Sequence, residues 1–415
     1  MLLVIHNAAQ LVGVTTPGMH CQRGIRMRSP GIVTDGALVI RDGILEWVGP
    51  AAEMPAVAQN EATWIDATGK VVLPGFVDSH THLLFAGSRV DEFEQRLQGV
   101  SYQEITARGG GILSTVRQVR QASKEELKEL ARPRLRRLLR FGVTTVEVKS
   151  GYGLTPANEI KCLEAIAELN AEGPWELVPT FLGAHAVPPE YRDDRGGYLR
   201  SLCDDMLPEI TRRKLADFCD VFCETGVFSV DESRQILTRA RDLGLRLKLH
   251  ADELSPLGGA ELAAEVGAVS ADHLLCITEK GIDALAASDT VATLLPGTAF
   301  FLGVDYAPAR QLIERGVAVA LATDCNPGTC MTENLPLVGA IACTRMGMLP
   351  GEVVTALTLN AAAALGRSER IGSLTPGKQG DVIVCDVPDY RELFYHFGIN
   401  HVECVIKRGR VVHTA

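Results

Sequence analysis

The sequence predicts a parallel (β/α)8 barrel, the TIM-barrel class, joined to a small β-sandwich domain built from both chain ends. Two observations carry this. Eight strand-like apolar runs in the middle of the chain alternate with amphipathic helical patterns. Both ends instead read as short strands and turns without helical periodicity. No GxGxxG follows the first middle run, which argues against an open dinucleotide-binding sheet.

Residues 1–70 supply the first part of the small domain, with "LLVIHNAAQLVG" and "GALVIRDGILEWVG" as strands and Asp42-Gly43 as a hairpin turn. Residues 71–370 form the barrel. Its strands are read in order as "VVLPGFVDSH", "GVTTVEVKSG", "WELVPTFLGAH", "DVFCETGVF", "LRLKLHADE", "GAVSADHL", "TVATLLPGTAF" and "VAVALATDCNPG". Helical segments such as "KEELKELARPRLRRLLRF" and "VDESRQILTRARDLG" separate them. Residues 371–415 return to strands, "GDVIVCDV" and "VECVIKRGRVVH", the second turning at Arg408-Gly409.

Bulk composition narrows the function classes. The 415 residues are 46% hydrophobic and 22% charged with a formal net charge of -10, so nothing invites nucleic acid. The one dense cationic run, Arg132 to Arg140, also carries Leu135, Leu138 and Leu139 and reads as a solvated helix face. Eleven cysteines without a CxxC pair suggest a reducing cytoplasm. The absence of a basic leader or a long apolar run leads us to expect a soluble, unprocessed protein away from membranes.

Polar residues collect at the C-terminal ends of the strands: His80 and His82 on the first, Lys149 on the second, His185 on the third and Glu224 on the fourth. His250 ends the fifth, His273 the sixth and Asp324 the eighth. A barrel of this class builds its active site at that face. Two histidines at i and i+2 project from one side of a strand, so both can reach one ion. His250 and Asp324 complete a donor set for a borderline divalent metal.

The stretches "PGFVDSHTH", "SADH" and "GSLTPGKQGDVIVCD", with His250 and Asp324, resemble the amidohydrolase superfamily across the chain. Within it, "HLLFAGSRVDEF", "ARGGGI", "EVKSGYGL", "PTFLGAHAVPPEY", "KLHADE" and "ATDCNPGT" resemble the imidazolonepropionases, the ring-opening hydrolases of histidine degradation. The resemblance implies hydrolysis of 4-imidazolone-5-propanoate to N-formimidoyl-L-glutamate. It implies one zinc or iron ion per chain on His80, His82, His250 and Asp324, and it suggests a homodimer.

Opening a cyclic amide needs an activated water, oxyanion stabilisation and a proton for the leaving nitrogen. Glu253, His273 and Asp324 are the candidates for moving protons; His273 is read foremost as orienting the water or stabilising the oxyanion, with a fifth ligand, a partner to a ligand or a core histidine as its alternatives. Arg89 suits the substrate's propionate, as a planar fork matches a carboxylate. His185 is read as a substrate contact, with a satisfied core histidine as its plain alternative. Tyr152, Asn326, Gly328 and Thr329 follow strands two and eight, the last loop offering backbone N–H groups to a carboxylate or ring oxygen. Turn chemistry alone also explains Asn326-Pro327-Gly328. Two rival functions remain: a deaminase of a nucleobase-like heterocycle, with the same donor set, and a non-catalytic scaffold.

Overall fold

The apolar runs of the first seventy residues form strands whose central stretches are buried on both faces, Leu3, Ile5 and Leu38 against one apolar cluster and Leu2, Val4 and Val39 against another. The computed structural model, which describes residues 1–100, 104–105 and 108–415, has β1 (Leu2–Val12), β2 (Ile32–Arg41), β3 (Ile44–Pro50), β4 (Thr63–Asp66) and β5 (Val71–Pro74) there. Asp42 and Gly43, with φ of 49° and 84°, turn β2 into β3. Both central residues of such a two-residue turn need positive φ, which Asp tolerates and Gly adopts freely. Ala107 of "ARGGGI" lies outside the described residues.

The barrel follows as β6 (Phe76–Asp78), β7 (Val143–Lys149), β8 (Glu176–Ala184), β9 (Phe218–Cys223), β10 (Arg246–Ala251), β11 (Ser270–His273), β12 (Val291–Leu294) and β13 (Val319–Leu321). All neighbours pair in parallel, in chain order. The first and eighth strands approach just beyond their ends: Asp324 N donates to His80 O at 3.0 Å and His82 N to Cys325 O at 3.1 Å. Asp78 reinforces the seam by accepting from Thr323 N at 3.0 Å and Thr323 Oγ1 at 2.6 Å.

Inward positions change character along the barrel axis. Val77, Val178, Phe218, Val291 and Ala320 share one apolar cluster at the N-terminal end, under Ala361, Ala362 and Ala364. Above them lies a fully buried ionic layer of Glu147, Lys149, Asp220, Lys248 and Asp272. The imidazoles come next, at the C-terminal mouth.

The chain then rejoins the first sheet through β14 (Val382–Cys385), β15 (Val402–Lys407) and β16 (Arg410–Thr414). β14 pairs antiparallel with β5, which also lies beside β1, so one eight-stranded sheet joins both ends. Its core, including Ile5, Leu11, Leu38, Val72, Val384 and Ile406, is distinct from that of the barrel.

Three sequence expectations change here. "VVLPGFVDSH" is two strands, because the chain crosses from sheet to barrel at Gly75, where a Cβ would lie 2.4 Å from Thr144 Oγ1. The cationic helix Lys124–Arg140 is not wholly solvated. Arg134 is buried, donates to Leu83 O and Phe85 O at 2.9 Å each and stacks 3.4 Å over the Phe85 ring. An arginine stem and planar head can be buried where carbonyls satisfy it, which charge counting overlooks. Lys149 points into the ionic layer and not to the mouth. Among the described residues no helix is long and apolar enough to cross a membrane, and all eleven cysteines are free.

Candidate active site

His80 and His82 stand just past β6, held by the seam to the eighth strand, while His250 lies within β10 and Asp324 beyond β13. The strand ends bring them together. His80 Nε2 and His82 Nε2 lie 3.7 and 3.6 Å from Asp324 Oδ1, and His82 Nε2 lies 3.3 Å from His250 Nε2. The three imidazoles form a candidate metal-holding group.

Each outer partner fixes a ring. His80 Nδ1 is 2.6 Å from Asp272 Oδ2, and Asp272 Oδ1 accepts from Ser270 Oγ at 2.6 Å. His250 Nδ1 is 3.0 Å from Asp220 Oδ2, a charge contact that falls outside hydrogen-bond geometry. A carboxylate at Nδ1 draws the proton there and leaves Nε2 with its lone pair, the arrangement found around metal-ligating histidines. Thr298 Oγ1 donates to Asp324 Oδ2 at 2.6 Å, leaving Oδ1 turned to the imidazoles.

Asp220, Asp272 and Thr298 were missed by sequence reasoning. Asp272 stands beside a strand-end histidine in "SADH" and Asp220 is a lone Asp in "CDVF", while nothing around Thr298 marked it.

The donor set fits a divalent cation. His80 Nε2 and Asp324 Oδ1 are buried without a hydrogen-bond partner, a costly condition for two acceptors unless a cation lies between them. Burial also drives the His80 and His82 imidazoles well below their ordinary pKa, into the neutral form that ligates. It lifts the Asp324 carboxyl to about 6 against the Thr298 hydrogen bond. A second carboxylate–imidazole group, His80, Glu147 and Asp272, lies below. There the ammonium groups already stand: Glu147 Oε2 is 2.8 Å from Lys149 Nζ and 3.1 Å from Lys248 Nζ.

Around this centre the remaining candidates divide. His273 has a left-handed backbone (φ 78°), as does Asp324 (φ 55°), a strained conformation characteristic of functional positions. Its ring centroid is 5.1 Å from His250 and 5.3 Å from His80, and its Nδ1 is 3.5 Å from Glu253 Oε1. Burial, with the charges of Asp324 and Glu224, pushes the Glu253 carboxyl well above its usual range. His185 stacks on His82 at 4.9 Å with the planes 18° apart, and Tyr152 lies 5.4 Å from it. Gly151 O lies 3.0 Å from His185 Nδ1, so that nitrogen carries the proton and Nε2 is an acceptor.

Arg89 is paired with Glu92 at 2.8 Å and lines a cleft of about 280 Å³ with Phe85, Phe93, Phe301 and Pro327. The strand-eight loop differs from expectation. Gly328 N and Thr329 N both donate to Asn326 Oδ1 at 2.8 Å, and Asn326 Nδ2 donates to Thr329 Oγ1 at 2.9 Å. The N–H groups expected to face an anion are engaged in a closed turn, because an Asn side chain reaches its own backbone two and three residues on. A Cβ on Gly328 would lie 2.1 Å from Arg89 Nη1, so this glycine makes room for the guanidinium.

Buried carboxylates also missed in the sequence hold the other mouth loops. Glu159 accepts from Gly153 N and Leu154 N at 2.8 Å. Asp252 accepts from Gly258 N, Gly259 N and Ala260 N at 2.8 to 3.0 Å. Glu224, expected at the strand-four end, accepts from Leu254 N at 2.8 Å and so ties down the loop after Glu253.

Similarity to known proteins agrees with this geometry. Residues 71–412 match the model of the Amidohydrolase family. The guanine deaminase of E. coli superposes with a TM-score of 0.74 at 17% identity, each chain covered in full. The 5-methylcytosine deaminase of Klebsiella pneumoniae gives 0.72 at 17%, covering 98% of each. These likenesses establish the fold alone. The imidazolonepropionase of Porphyromonas gingivalis (strain W83) is 51% identical, covering 100% of this chain and 98% of its own length. That of Geobacillus kaustophilus is 50% identical, covering 99% and 97%. With half of its residues shared along the full length, the chain belongs to the imidazolonepropionase family of amidohydrolases.

Proposed function

We infer that this chain hydrolyses 4-imidazolone-5-propanoate to N-formimidoyl-L-glutamate, the ring-opening step of L-histidine degradation. The observation that carries the reading is half identity along the full length to imidazolonepropionases, against 17% to the deaminases that share the fold.

His80, His82, His250 and Asp324 would hold one ion per chain, zinc or iron. Such an ion, when bound, lowers the pKa of water toward about 7 and polarises a carbonyl. The chain's own groups complete the reaction. As the water oxygen bonds to the ring carbonyl carbon, Asp324 accepts its proton at Oδ1, the oxygen turned to the imidazoles. Glu253, whose protonated form burial favours, donates to the ring nitrogen as the C–N bond breaks. His273, beside Glu253, stabilises the oxyanion.

His185 Nε2 accepts from a ring N–H, Tyr152 packs beside it, and Arg89 pairs with the propionate. Asn326, Gly328 and Thr329 act by shaping the loop on which Arg89 rests. Eleven free cysteines support a reducing, cytoplasmic setting, and the family resemblance supports a homodimer.

The test is turnover of imidazolone propionate by the metal-loaded protein. Formimidoylglutamate should form without ammonia; ammonia release from a nucleobase-like heterocycle, with imidazolone propionate left intact, would establish the deaminase reading instead.

A further inference from the structure

The ionic layer beneath the imidazoles is more than packing. Lys149 Nζ lies 2.7 Å from Asp220 Oδ2, 2.8 Å from Glu147 Oε2 and 3.7 Å from Asp272 Oδ2, with every side chain fully buried. Lys248 Nζ lies 3.1 Å from Glu147 Oε2 and 3.6 Å from Asp272 Oδ2, and donates to Ser79 O at 2.8 Å. Of the three carboxylates around Lys149, Asp220 and Asp272 are those beside His250 and His80.

Charge balance explains the arrangement. Three carboxylates against two ammonium groups leave one negative charge in this layer, and Asp324 above adds a second. A divalent ion on the imidazoles cancels both. Without Lys149 the layer would hold three carboxylates against one ammonium, and Asp220 would lose the group that fixes the oxygen facing His250. Uncompensated buried charge is strongly unfavourable, so such a carboxylate would turn away, take up a proton or admit water.

We propose that Lys149 is a positioning residue for the metal centre, acting through Asp220 to hold His250 with Nε2 turned to the ion. The link is geometric: one Asp220 oxygen, Oδ2, meets both Lys149 Nζ and His250 Nδ1, while Oδ1 accepts from the His250 backbone N–H at 3.2 Å. One carboxylate thus holds the ligand's backbone by a hydrogen bond and faces its ring nitrogen at 3.0 Å, and Lys149 fixes the carboxylate.

The proposal rests on the metal reading above, and its test separates the two. Zinc dissociation constants are measured by chelator competition for the wild type, Lys149→Met, Asp220→Asn and the Lys149→Met/Asp220→Asn pair, with circular dichroism of each metal-free protein to establish folding. Wild type that binds no zinc overturns the metal reading itself. If the wild type binds, folded Lys149→Met should bind about tenfold more weakly, the lower end of the usual 10- to 100-fold loss on removing a ligand's direct partner, since Lys149 acts one contact further out. The pair should match Asp220→Asn within about twofold, since both reach the ion by one route.

Folded Lys149→Met with wild-type affinity overturns the proposal. So does a pair that binds tenfold more weakly than Asp220→Asn, because Lys149 would then act by a separate route. Should Lys149→Met fail to fold, the pair decides alone, for it leaves the net charge of the layer unchanged.

Discussion

Glu253 illustrates how one side chain's surroundings define its task. Its carboxyl is buried beside Asp324 and Glu224, and both burial and their charges push its pKa well above the usual range and so favour the protonated form. Glu253→Gln keeps shape and hydrogen-bonding capacity while removing the transferable proton. We expect kcat to fall by about 10² to 10⁴ with metal content retained; loss of the metal as well would make Glu253 a ligand. Arg89 differs, since a propionate is remote from the breaking bond. Arg89→Met should raise KM, by the equivalent of about 2 kcal/mol, and nearly preserve kcat, and an unchanged KM would remove Arg89 from the substrate site. Asp324 gives a pH signature in the metal-free protein. Its folded pKa of about 6 lies above the ordinary value of 3.8, so the folded state favours the protonated form and loses stability as pH rises between those values. Metal-free Asp324→Asn should therefore gain thermal stability over metal-free wild type as pH rises from about 4 to about 6, with no further gain above. A difference in melting temperature that does not change with pH would contradict it.

Strands and loops were not equally legible. Each barrel strand announced itself by apolar runs of strand length, and each strand-end histidine by its place after such a run. The supporting carboxylates were silent, because a single Asp or Glu in a strand or helix looks the same whether it faces water or a neighbour's imidazole. Asp272 pairs with His80 across 192 residues, and no local pattern records that distance. Glu159 is similar: in "PANEIKCLEAI" it reads as an ordinary helix acid, yet it is buried and holds the loop that carries Tyr152. The Asn326 turn errs in the other direction, since a local side chain satisfied the N–H groups that an anion was expected to meet. Glu159→Ala should leave the Gly153 and Leu154 N–H groups unpaired, costing on the order of 3 kcal/mol and raising KM as the Tyr152 loop loosens. Thermal unfolding and steady-state kinetics check both, and an unaltered melting temperature would mean that water replaces the carboxylate without loss.

The barrel as a whole is built to concentrate charge in one place and to neutralise it there. Its N-terminal end is apolar, its middle ionic, and its mouth is lined by imidazoles, so a cation entering from the mouth meets lone pairs first and ammonium groups beneath them. A second ion would need donors of its own. The next carboxylate–imidazole group, His80, Glu147 and Asp272, shares His80 with the first site and has Lys149 and Lys248 against its carboxylates. Binding there would require both ammonium groups to lose their protons, and the carboxylates around Lys149 hold its pKa above the ordinary lysine value despite burial. The fourth strand supplies no lysine that could bridge two ions; Asp220 lies within it and Glu224 follows it, both already engaged. Titration of metal-free protein with zinc or iron should therefore restore activity to a plateau at about one equivalent per chain, the stoichiometry of a single site of three imidazoles and one carboxylate. The melting temperature should rise over the same range, because an ion that binds only the folded chain stabilises it by mass action. A plateau at two equivalents, or anomalous scattering from a second ion among Glu147, Asp272 and His80, would show that the ammonium groups give way.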